Sequence, residues 1–151
     1  MACWQVARRP AFFFSGDIIR ATPPVFLMAL TRLRLVNHTS PLAAPLTVQA
    51  CETFACRFRG LMGRRFLAPS EGLLFRWPKA GRLDTAIHML FMRFPIAAIW
   101  LSPEGRVVDA RYARPWVDFL IPRQPAQFLL ELHADRLKEF HLDDHVTWYE
   151  I

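Results

Sequence analysis

From Leu33 onward the chain is written in short runs of alternating apolar and polar residues, separated by turn formers. Residues 33–37 alternate as a strand, residues 46–51 form a second β-prone run, and residues 38–42 supply a turn between them. The two runs should therefore pair as a hairpin. Thr53 then offers an oxygen to cap a helix, and Phe54, Phe58, Leu61 and Met62 recur at helical spacing until Gly63, which predicts a short helix over about 54–62. Residues 72–77 read as a strand closed by Pro78, with a loop over 79–84.

The densest apolar run spans 86–101, where only His88 and Arg93 are ionisable. Such a run belongs in a doubly covered strand, and Pro95, which cannot donate to a ladder, should break it near 93–95 into a central pair of strand segments. Residues 106–112 alternate strictly, so Trp100 and Val107 are expected to pair across the Pro103-Glu104-Gly105 turn. Three prolines make 113–127 largely irregular, whereas 128–132 is a strand, 134–140 a second short helix and 144–149 a last strand. These elements predict a mainly β fold, a compact single-domain β-barrel or sandwich with one or two short helices.

A length of 151 residues is enough for one domain with its own core. Residues 1–28 do not share the pattern. Phe12-Phe13-Phe14 follows Arg8-Arg9, but Ser15-Gly16-Asp17 and Arg20 cut the apolar run short of a secretory core, and no stretch reaches the ~18 apolar residues of a membrane span. The expectation is a poorly ordered extension over 1–28 with Met28 as the natural start, then a single β-rich domain over 31–151.

With 53% hydrophobic and 21% charged residues, the composition is globular and excludes a disordered chain. Cys3, Cys51 and Cys56 are an odd set without a paired framework, which predicts a reducing, cytoplasmic setting and no zinc site. The formal charge of +6 is concentrated over 57–65, which holds four arginines and no acid. An anion or a nucleic acid could meet such a patch, although a solvated basic face explains it as well.

Four pieces follow one another in a set order: Arg57-x-Arg59-Gly60-Leu61-Met62-Gly63-Arg64, Gly72-Leu73-Leu74-Phe75, Ile87-His88-x-x-x-Met92-Arg93-Phe94-Pro95-Ile96, and Leu130-Glu131-Leu132. Together they resemble the bacterial and archaeal family known as domain of unknown function 192, over about residues 32–149. The resemblance implies a compact β fold with short helices and carries no established activity. His88 stands where many members have tryptophan. Ala97 replaces an aspartate that usually follows Pro-Ile, and Asp135 and Asp143 stand near or at usual glycines. A catalytic role for the missing aspartate would leave this chain impaired; a bridging role would change little.

Several side chains qualify for a site. His88 could carry a proton or contact a ligand, and Arg93 could clamp a carboxylate or phosphate; the structural alternative hydrogen-bonds His88 to backbone and pairs Arg93 with Glu131. Arg57, Arg59 and Arg64 beside the first helix could bind an anion, or simply complement its C-terminal end. Trp116 could cover a ligand from a mouth loop or close the core. Glu131 could act as acid or base with His88 or His133 as its partner, the structural alternative being a salt bridge to an arginine. The His141-Leu142-Asp143-Asp144-His145 turn is too short to supply a full metal ligand set, and no phosphate loop, nucleophile elbow or metalloprotease helix is present.

The expected function is a non-enzymatic binding module for a small anionic ligand or partner carboxylate, using Arg57, Arg59, Arg64, His88, Arg93 and Trp116. It needs no cofactor, metal or membrane. The alternatives are an enzyme using His88 and Glu131, and, less favoured, nucleic-acid binding through residues 57–65.

Overall fold

The computed structural model describes residues 31–151. Nine strands and two short helices follow in the order β1 Arg32–Asn37, β2 Leu46–Cys51, α1 Phe54–Arg59, β3 Glu71–Gly81, β4 Ile87–His88, β5 Ile96–Leu101, β6 Val107–Ala113, β7 Phe119–Leu120, β8 Ala126–His133, a 3-10 helix over Ala134–Glu139, and β9 Val146–Glu150. Seven strands form one mixed sheet in the order β6-β5-β8-β3-β2-β1-β9, and β4 pairs with β7 in a separate ribbon. The mainly β expectation holds. Among the described residues the sheet is not a closed barrel; the chain just before β6 and β9 meets at an isolated bridge between Arg106 and His145 and neighbouring backbone bonds. The extension over 1–28 lies outside the described residues.

The predicted hairpin of β1 and β2 forms with antiparallel register, Arg32 opposite Gln49 and Leu35 opposite Leu46. β2 then pairs with β3 in parallel, Val48 opposite Gly72, so the chain must return over the sheet between them. Gly72 is required here: a Cβ would stand 2.5 Å from Leu132 and 2.8 Å from the Glu131 carbonyl oxygen.

Alternation sorts the buried side chains into two clusters, one on each face of the sheet. Leu33, Leu46, Val48, Leu74, Ile99 and Leu130 belong to the first, which the 3-10 helix covers through Leu137 and Phe140. Leu73, Phe75, Ala98, Trp100 and Leu129 belong to the second, covered by Leu61, Leu67, Met89 and Met92 from the connecting segments. Ala97, at the position where the resemblance expects aspartate, is fully buried in the first cluster.

Four expectations are corrected. The 86–101 run does break where Pro95 sits, but its halves are not a pair: β4 joins β7, while β5 lies between β6 and β8 with all six residues buried. Trp100 opposes Asp109 rather than Val107, because the register shifts between Trp100 and Leu101. Pro78 does not close its strand. β3 runs on to Gly81, and Pro78 falls in the irregular interval between Arg76 and Gly81 where no ladder bond is needed. Finally, Cys51 and Cys56 are not an unpaired set, since a disulfide joins them across the start of α1, their Cα atoms 5.5 Å apart.

Candidate functional site

Thr53 caps α1 as expected, its hydroxyl accepting from the Cys56 amide at 3.2 Å. The helix ends sooner than the apolar spacing suggests, at Gly60, whose φ of 46° leads the chain out of it. Phe54 and Phe58 do not enter the core; they are 77% and 68% exposed, and no residue of α1 is buried. The helix is held by the disulfide and by Arg57, which donates to the carbonyl oxygens of Glu52 at 2.6 Å and Arg76 at 3.0 Å.

Beneath this helix lies a cavity of about 120 Å³. Its roof is Arg57, Phe58 and Arg59, continuing through Gly60 to Met62. Phe75 and Trp77 of β3 form one wall, and His88, Met89 and Met92 form another. Leu129 and Glu131 of β8 form the base. The chemistry is uneven: arginines and an exposed histidine stand at the rim, thioethers and aromatic rings line the interior, and one carboxyl lies at the bottom.

Glu131 sits between Leu73 of β3 and Ala98 of β5 and is 9% exposed. Its Oε2 lies 3.5 Å from where a Gly60 Cβ would be and the Phe75 ring is equally near that point, so the absence of a side chain at residue 60 makes room for the carboxyl. Among the described residues, no hydrogen bond or ion pair within 4.0 Å engages that carboxyl. Burial pushes its pKa up from 4.5 to about 7, and the Arg64 charge opposes this only in part.

The cavity therefore brings together four of the predicted residues, Arg57, Arg59, His88 and Glu131. Arg64, Arg93 and Trp116 are not among its lining residues. Arg93 is exposed and forms no ion pair with Glu131, because the turn after Met92 carries it to solvent. Trp116 packs edge to face on Phe91 at 5.3 Å, both with backbone φ above 60°, and its amide donates to Met89 at 2.9 Å. It thus braces the segment that carries His88 rather than touching the cavity. His88 and Glu131 share the cavity without a hydrogen bond between them.

Sequence reasoning missed Met62, Met89, Met92, Phe75 and Trp77 as lining residues. Phe75 and Trp77 alternate with Leu73, so they share the face of Glu131 once β3 is paired with β8, a pairing that the sequence does not reveal. The acidic turn is structural: Asp144 accepts from Asn37 at 2.8 Å, Ser40 at 3.0 Å and the His141 amide at 2.9 Å.

The model of the domain of unknown function 192 family, described as an uncharacterized ACR, matches residues 35–148. The chain belongs to this family. A relative from Thermococcus sibiricus, named UPF0127 protein, is 38% identical over 76% of this chain and 73% of its own length. One from Thermococcus kodakarensis is 32% identical over 76% of this chain and 72% of its own. Two solved structures share the fold seen here. One, from Sinorhizobium meliloti and described as a candidate transcription regulator, has a TM-score of 0.69 at 25% identity and covers 80% of this chain and 94% of its own. The other, a protein of unknown function from Novosphingobium aromaticivorans, has a TM-score of 0.64 at 24% identity, covering 83% and 89%. No helix among the described residues is long and apolar enough to cross a membrane.

Proposed function

We propose that this domain is a non-enzymatic binding module whose cavity under α1 takes a small anionic ligand with an apolar body. One observation carries the reading: Arg57, Arg59 and His88 line a pocket whose other walls, apart from the Glu131 carboxyl, are apolar, with methionine and aromatic side chains prominent. Guanidinium groups at a rim attract and orient an anion, while a largely apolar interior supplies affinity by burying the rest of the molecule. Arg57 is already fixed by two backbone carbonyls, so little of its freedom is lost on binding.

The reading is tested by thermal-shift screening against metabolites and nucleotides, repeated with Arg59→Ala and His88→Ala. A ligand that raises the melting temperature of the wild type but not of these folded variants supports it. No shift with any anion at millimolar concentration overturns it.

A second reading is enzymatic, favoured by the shared cavity of His88 and Glu131 and by a carboxyl that titrates near neutrality. Turnover of a bound ligand, lost in Glu131→Gln, would select it. Nucleic-acid contact stays with the exposed Arg59, Arg65, Phe58 and Phe66, in keeping with the description of the Sinorhizobium meliloti neighbour, and salt-sensitive retardation of oligonucleotides would select that reading.

A further inference from the structure

Glu131 is the feature that an anion-binding pocket leaves unexplained. A buried polar group normally has its partner inside the protein, because leaving it without one is costly. Its nearest neighbours on the sheet, Leu73 and Ala98, are apolar, and among the described residues nothing hydrogen-bonds to it. The ring of Phe75 and the bare backbone of Gly60 close around the carboxyl on the helix side. Arg64 is near enough to act on its charge, but no ion pair forms within 4.0 Å. The direction left to the carboxyl is the cavity itself, of which it forms part of the base.

Resting on the binding reading above, we propose that the ligand is a zwitterion whose protonated amine seats on Glu131 while its anionic group meets Arg59 and His88 at the rim. An ammonium supplies hydrogen-bond donors and a positive charge in direct contact with the carboxyl, which no described residue gives it. A charge-assisted hydrogen bond to the carboxyl is the strongest single contact available there. The methionine and aromatic walls between the two ends suit a short aliphatic spacer. An amine on the carboxyl also stabilises its ionised form, so near neutral pH binding should release a proton that Glu131 otherwise holds.

Three probes of the same length separate the ideas: 6-aminohexanoate, 6-hydroxyhexanoate and hexanoate, each titrated by NMR while the His88 and Glu131 amide signals are followed. The wild type should bind 6-aminohexanoate about tenfold or more tightly than hexanoate, the factor expected of one charged hydrogen bond. In Glu131→Gln, with its spectrum otherwise native, the ratio should fall toward one while hexanoate binding is kept. Calorimetry at pH 6.5 in buffers of different ionisation enthalpy should show proton release for 6-aminohexanoate on the wild type only. Equal binding of the amine and hexanoate, a hydroxyl probe as tight as the amine, or a ratio that survives Glu131→Gln overturns the amine assignment and leaves the anion pocket standing. Failure of all three probes to move the His88 and Glu131 signals overturns the amine assignment together with the binding reading.

Discussion

Trp100 donates its indole N–H to the carbonyl oxygen of Thr85 at 2.8 Å, and both residues are fully buried. The Thr85 hydroxyl in turn donates to the Gly81 carbonyl at 2.7 Å. This chain of bonds fixes the end of the β3–β4 connection to the middle of the sheet, one residue before the cavity lining resumes at Ala86. Trp100→Phe removes the donor, leaves the Thr85 carbonyl without its partner, and opens a void in the second core cluster. A loss of ~2–4 kcal/mol in urea unfolding is expected, with weaker ligand binding as the His88 segment loosens.

Glu131 makes stability fall with rising pH. Its folded pKa, about 7, lies above the ordinary 4.5, so between these values the unfolded chain has lost the proton while the folded chain still binds it. Fewer protons on the unfolded state mean that unfolding becomes easier as pH rises through this window. Glu131→Gln should flatten the curve and be more stable than the wild type at pH 8, by as much as ~3 kcal/mol, with the advantage shrinking toward pH 5. Paired denaturation curves across that range check it; parallel curves for the two proteins would contradict the burial of an unpartnered carboxyl.

Asp144 works in the opposite direction. Burial pushes its carboxyl up, but hydrogen bonds from Asn37, the His141 amide and Ser40, together with the nearby His141 ring, hold it below its ordinary 3.8. The stability it lends is present above that value and lost as pH falls through the lower folded one. Asp144→Ala should cost ~2–4 kcal/mol at pH 7 by stranding the Asn37 amide and the His141 N–H. The difference from the wild type should narrow in acid, as read from melting temperatures between pH 2 and pH 7.

The β hairpin, the cap at Thr53, the break at Pro95 and the second short helix were legible because each depends on neighbours in sequence. The parallel step from β2 to β3 was not, since a parallel pair is set by contacts far apart along the chain and either direction suits the same alternating pattern. Helical spacing misled at Phe54 and Phe58 for a related reason: spacing shows that two rings share a face, not whether that face meets the sheet or solvent. Among site residues, Arg57, Arg59, His88 and Glu131 stood out as charges beside or within apolar runs. The methionines of the same cavity did not, because at sequence level a lining thioether looks like any other core residue.

The disulfide gives a fourth prediction. Because α1 fully buries none of its own side chains, Cys56→Ser should leave it secured mainly by Arg57 and by the turn at Gly60. Backbone amides of residues 54–60 should exchange with solvent at least tenfold faster beyond the increase that the global loss imposes on β5 and β8. Global stability should drop by ~2 kcal/mol, the amount expected for opening so short a loop. Mass-resolved hydrogen exchange separates the local effect from the global one.

The parallel pairing of β2 with β3 has a consequence for how this domain can diversify. An antiparallel turn would have joined the two strands in a few residues, whereas the parallel step obliges the chain to make a return journey from residue 52 to residue 70, and the roof of the cavity is part of that journey. The β2–β3 ladder itself is made by backbone groups on either side of that segment. The return segment can thus vary in its exposed side chains while Leu61 and Leu67 stay to cover the sheet and Gly60 leaves room for the carboxyl beneath it.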